Sequence, residues 1–128
     1  MRTSNQAKGY RAEYRCRELL AADGYLVWKS AGSLTCADLI AAKPGEWLLV
    51  QVKAGEATLG HDWFNELFEV AHALSRNRHA GSYSRVLAIV ADFPVRGKLR
   101  LRRITGLHVA HKHSWPLEEF STDEVDDG

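Results

Sequence analysis

ADLIAAKPGEWLLVQVKAG, residues 37–55, holds two apolar runs joined by Lys43-Pro44-Gly45-Glu46. Proline at the second position and glycine at the third are what a type II turn requires, because Pro presets φ and Gly accepts the positive φ that follows. The segment therefore predicts a hairpin with Lys43 against Glu46, and stepping outward along the two strands brings Asp38 opposite Gln51. Directly opposed residues project from one face with Cβ atoms about 4.5–5.5 Å apart. Alternation adds Lys53 to that face. A carboxylate, an amide and an ammonium thus converge on strands otherwise made of Leu39, Ile40, Leu48, Leu49, Val50 and Val52. Polar groups in such surroundings cost free energy unless they are paired or bind something. The plainer alternative is an Asp38–Lys53 ion pair on a solvent-facing side.

Working outward, residues 5–22 lack proline, are rich in Ala, Arg, Glu and Leu, and stop before Asp23-Gly24, which predicts a helix. YLVWKS reads as a short strand. After Gly60, HDWFNELFEVAHALSR spaces Trp63, Leu67, Val70, Ala71 and Leu74 as one helical stripe, with Asp62 at its start. RVLAIVADF reads as a buried strand, and GKLRLRRIT as a strand alternating apolar with basic residues. The order helix, three strands, helix, two strands predicts an α/β fold with a central mixed five-stranded sheet flanked by helices. At 128 residues one domain is expected, over 1–118, with 119–128 as an acidic, flexible tail.

On the first helix Glu13 falls at i, i+3 and i+7 with Cys16 and Leu20, so its carboxylate belongs to the inward face; pairing with a neighbouring arginine is the simpler alternative. Lys8, Arg11 and Arg15 follow a separate stripe suited to phosphates. Glu13, Asp38 and Gln51 offer hard oxygen donors for Mg²⁺ or Mn²⁺. With Lys53 to hold or deprotonate a water and offset developing negative charge, the set suits phosphodiester hydrolysis.

Charge points the same way once it is followed along the chain. The formal net charge is +1, but 114–128 carries six acids and no Lys or Arg, so the body before it is strongly basic. Such a body suits a polyanion such as nucleic acid. Arg96, Lys98, Arg100 and Arg102 gather on one side of the last strand as a phosphate-binding stripe, or else mark an exposed edge. His108, His111 and His113 lack metal-ligand spacing and read as solvated or phosphate-contacting. Trp63, Phe64, Phe68 and Trp115 read as core or dimer contacts. Cys16 and Cys36 fit free buried thiols. No apolar run is long enough to span a membrane and no secretory signal leads the chain, so a cytoplasmic location is expected, host cytoplasm if the source is viral.

KGYRAEYRCRELLAADGYLVWKSAGS followed by ADLIAAKPGEWLLVQVKAG resembles the archaeal-type Holliday junction resolvases of the PD-(D/E)XK nucleases. The resemblance spans roughly residues 6–55 and implies a restriction-endonuclease-like core. It implies a metal-linked Glu13, a motif Asp38, and Gln51-Val52-Lys53 at the E-x-K strand motif. It further implies a functional serine in the loop before Asp38, Ser33 or Ser30, and a homodimer cutting opposed strands of a four-way DNA junction. Gln51 departs from the pattern, since the family usually has a carboxylate there. A related endonuclease with a repair or restriction role, and a DNA-binding relative that has lost catalysis, are the competing expectations.

Overall fold

Among the residues described in the computed structural model, 4–30, 36–53, 60–76, 85–95 and 98–120, there are two helices and six strands. Their order is α1 (Ser4–Ala22), β1 (Leu26–Lys29), β2 (Leu39–Lys43), β3 (Glu46–Val52), α2 (His61–Arg76), β4 (Arg85–Val95), β5 (Lys98–Ile104) and β6 (Leu117–Glu119). The strands form one sheet in sequential order. Every neighbouring pair is antiparallel except β3 and β4, which α2 connects in parallel.

The hairpin has the register its turn predicts, from Lys43↔Glu46 to Leu39↔Val50, and Gly45 takes φ +84°. Helix α1 stops because Gly24 adopts φ +97°. Gly24 N then donates to Ala21 O at 3.0 Å and Tyr25 N to Leu20 O at 3.1 Å, which satisfies the last carbonyls of the helix and turns the chain into β1.

Alternation along the central strands divides the core into two layers. Leu39, Ala41, Leu48, Val50, Ile89 and Ala91 meet Cys16 and Leu20 of α1 on one face. Leu49, Ala88, Val90 and Ile104 meet Phe64, Leu67 and Ala71 of α2 on the other. Each fully buried Phe64 or Leu67 contributes about 1.5–3 kcal/mol of burial free energy. The α2 stripe is rotated from the expected one: Leu74 is 45% exposed, and Phe64 takes the central place. Ser75 ties the C-terminal turn of α2 to β4, its Oγ donating to Val86 O at 2.9 Å and accepting from Val86 N at 2.8 Å.

The sheet has six strands, not the five expected. The sixth, β6, pairs Leu117, Glu118 and Glu119 with Ile104, Arg103 and Arg102 of β5. Of its residues, Glu119 falls in the expected acidic tail; β6 lies along basic β5, with Arg103 3.7 Å from Glu118. Beyond β6, Phe120 N donates to Leu101 O and its side chain packs on the α1 layer. His108 is buried, against the expectation of a solvated histidine. It stacks on Trp115 at 3.5 Å, and Asn65 of α2 clasps its main chain, accepting from His108 N at 2.7 Å and donating to His108 O at 3.1 Å. No described helix is long and apolar enough to cross a membrane. Both cysteines are free and buried, and the Cys16 thiol is pushed up to about 12, first by burial and then by the charges of Asp38 and Glu13.

Candidate active site

Asp38 stands where the β2–β3 ladder ends, and three hydrogen bonds fix it there. Its main-chain N donates to Val50 O at 2.7 Å, its O accepts from Ser30 N at 3.0 Å, and its carboxylate Oδ2 accepts from Val52 N at 2.8 Å. Val50 and Val52 flank Gln51, so Asp38 does lie across from that residue, but its carboxylate folds onto the β3 main chain. Among the described residues the other carboxylate oxygen has no hydrogen-bond partner.

Two layers deliver charge to this carboxylate. From α1 comes Glu13, whose Oε1 is 3.1 Å from Nζ of Lys29 in β1. The structure therefore pairs Glu13 with a strand lysine, and not with an arginine of its own helix. From β3 comes Lys53, on the face covered by α2, with its Nζ 4.7 Å from the centroid of the Trp63 ring. A cation on an indole face gains about 0.5–2 kcal/mol, more as water is excluded. The Asp38 carboxyl is held above its ordinary range, chiefly by burial and also by the negative charge of Glu13. The hydrogen bond from Val52 and the positive charges of Lys53 and Lys29 pull the other way.

Gln51 occupies the α2 face with Leu49 and Lys53, because Val52 between them packs against the α1 layer. Its main chain pairs with Val90, and among the described residues its amide has no hydrogen-bond partner. Among the described residues no three His, Cys, Asp or Glu side chains converge on one point. The donors that could hold a hard divalent cation at this sheet end are Asp38 and Glu13 on the α1 side, with the Gln51 amide oxygen, on the α2 face, as a neutral third. The fit rests on electrostatics: a half-buried carboxylate raised further by a second negative charge is relieved by a nearby cation. Gln51→Glu would add a third charge, and is expected to tighten Mn²⁺ binding by roughly tenfold. Calorimetric titration measures this directly; an unchanged affinity removes Gln51 from the donor set.

The remaining expected residues are dispersed. Ser30 is half-buried and its main chain supports Asp38, whereas Ser33 and Arg96 fall outside the described residues, as does the side chain of Lys8. Arg11 and Arg15 are exposed on α1, and the Arg15 guanidinium lies 5.7 Å from the Phe93 ring centroid. Arg100 and Arg102 do not form a free cationic stripe. Asp92 accepts from Arg100 Nε at 3.0 Å, Arg100 Nη2 at 2.8 Å and Arg102 Nη2 at 3.2 Å, so one carboxylate offsets part of their charge. The sequence reading missed Lys29, Trp63 as a partner of Lys53, and Asp92. For Lys29 a signal existed, since it precedes Ser30 and pairs with Leu39, next to Asp38.

No protein-family profile matches the chain. No curated protein matches it either. Among solved structures, it is similar to that of Archaeoglobus fulgidus Hjc, a Holliday junction resolvase from an archaeal hyperthermophile. The two are 25% identical with a TM-score of 0.56, over 73% of this chain and 70% of that one. The chain is a mixed α/β protein with an Hjc-like fold.

Proposed function

We propose that this chain is a metal-dependent endodeoxyribonuclease that resolves four-way DNA junctions, working as a homodimer whose two sites cut opposed strands. The observation that carries this reading is the Asp38 carboxylate, held above its ordinary range at the sheet end with Glu13 and Lys53 in its field, within a fold similar to that of a junction resolvase.

Asp38 and Glu13, with the Gln51 amide oxygen, would hold Mg²⁺ or Mn²⁺. When bound, such an ion polarises a phosphoryl oxygen and acidifies a water. Lys53 carries its charge on a side chain free of ion pairs among the described residues, so its N–H donors can hold the attacking water or a non-bridging phosphate oxygen. Lys29 pairs with Glu13, so Glu13 would have to exchange that lysine to hold such an ion. The exposed arginines Arg11 and Arg15 suit the flanking phosphates, with Lys8 on the same sequence stripe. Arg100 and Arg102 would have to exchange Asp92 for phosphate to join them. No covalent intermediate with the protein is needed.

Incubating the protein with a synthetic four-way junction and with a linear duplex of the same arm sequence, in Mg²⁺ and in Mn²⁺, tests the reading. Paired, symmetry-related nicks confined to the junction are expected. Equal cutting of the linear duplex would replace the junction resolvase with a related endonuclease. Binding of the junction without cutting in either metal would leave a DNA-binding relative.

A further inference from the structure

We propose that Trp63 is a positioning residue for Lys53: the indole face holds the ammonium at the end of the sheet without neutralising it, and Gly60 provides the space the ring needs. The inference rests on the reading of Lys53 as a group that acts on the phosphodiester.

Among the described residues, Asp38 feels the charge of Lys53 without pairing with it. Lys53 N donates to Ala91 O at 2.7 Å, which makes Asp92 the next residue along the neighbouring strand. Yet Asp92 is occupied by Arg100 and Arg102, and Asp38 accepts from Val52 N. Among the described residues the partner of the Lys53 ammonium is the Trp63 ring, 4.7 Å away at its centroid. The difference is chemical. A carboxylate would fix the ammonium by accepting its hydrogen bonds and offsetting its charge, whereas an aromatic face attracts the cation through its quadrupole and leaves the N–H donors free to turn toward a phosphate or a water.

Two further features show that the ring is placed at some cost. Trp63 Nε1 is buried without a hydrogen-bond partner among the described residues, a penalty that phenylalanine at the same position would avoid. Tryptophan, however, presents the strongest cation-binding face of the aromatic side chains. The residue at the start of the helix is also constrained. A Cβ at Gly60 would stand 2.6 Å from Trp63 Cδ1 and 2.7 Å from Nε1, so any larger residue there collides with the edge of the indole. Trp63 meets Phe64 edge to face at 6.0 Å, which links the ring to the α2 core.

The test compares the full native chain with Trp63→Leu, Trp63→Phe and Gly60→Ala. The first readout is the rate at which a water-soluble acetylating reagent labels Lys53, measured by mass spectrometry against exposed Lys112 in the same molecule. Trp63→Leu and Gly60→Ala are expected to label several-fold faster at Lys53, and Trp63→Phe close to the native rate. The second readout is single-turnover cleavage of a four-way junction. Trp63→Leu and Gly60→Ala should slow it about tenfold to a hundredfold while the junction Kd stays within about twofold, and Trp63→Phe should restore most of the rate. Unchanged Lys53 labelling in folded Trp63→Leu or Gly60→Ala protein overturns the proposal. Should Trp63→Leu fail to fold, Gly60→Ala and Trp63→Phe decide it alone. Altered labelling in a chain whose native form cuts no DNA keeps the positioning of Lys53 and overturns the nuclease reading instead.

Discussion

Asp38→Asn is expected to abolish junction cleavage and, at neutral pH, to raise the melting temperature. The two effects have one origin. Burial and the charge of Glu13 hold the Asp38 carboxyl above its ordinary value, so the folded chain binds that proton more tightly than the unfolded chain does. Asp38 therefore contributes stability at pH values below the unfolded carboxyl range, and that contribution is lost as pH rises through the elevated folded pKa. Asparagine keeps an oxygen for Val52 N and carries no charge, so the variant escapes the loss. Its stability gain over the native chain should be visible at neutral pH and disappear on acidification. Cleavage should fall by about a thousandfold or more if Asp38 is the charged metal donor proposed for it. Thermal unfolding across pH, paired with a cleavage assay, checks both halves; a variant less stable than native at neutral pH contradicts the assignment of a strained carboxylate.

Lys53→Ala is expected to slow single-turnover cleavage by about 10²–10³-fold while leaving the junction Kd nearly unchanged. The lysine meets an aromatic face and no carboxylate among the described residues, so its removal leaves no buried charge unpaired. The fold should accordingly tolerate the change with little shift in melting temperature. A drop in junction affinity that matched the drop in rate would make Lys53 a general phosphate contact, with no special role in the chemical step.

How legible this site was in the sequence depended on whether its causes were local. The hairpin could be read because a Pro-Gly turn sets register within four residues, and it brought Asp38, Gln51 and Lys53 to one end of the sheet. Glu13 was legible from its spacing with Cys16 and Leu20, both of which are buried in the α1 layer. What could not be read arose between segments. The return of the Asp38 carboxylate to Val52 N requires the ladder to end one residue early. The pairing of Lys29 with Glu13 joins β1 to α1 across the core. Strand β6 has no strand-like sequence and exists by virtue of its basic neighbour. The arginines of β5 looked available because alternation says where side chains point and is silent about Asp92, which faces them from β4. His108 likewise owes its burial to Trp115 and to the clasp from Asn65, neither of which its histidine-rich surroundings foretell.

The ratio of the native to the Lys53→Ala rate, in single-turnover cleavage of a synthetic four-way junction with Mg²⁺, bears most directly on whether this sheet end is a nuclease centre. Native protein should introduce symmetrical nicks that a chelator prevents, at a rate about a hundredfold or more above that of the variant. Folded native protein that binds the junction and leaves it intact, or a variant that cuts as fast as the native chain, would contradict that assignment.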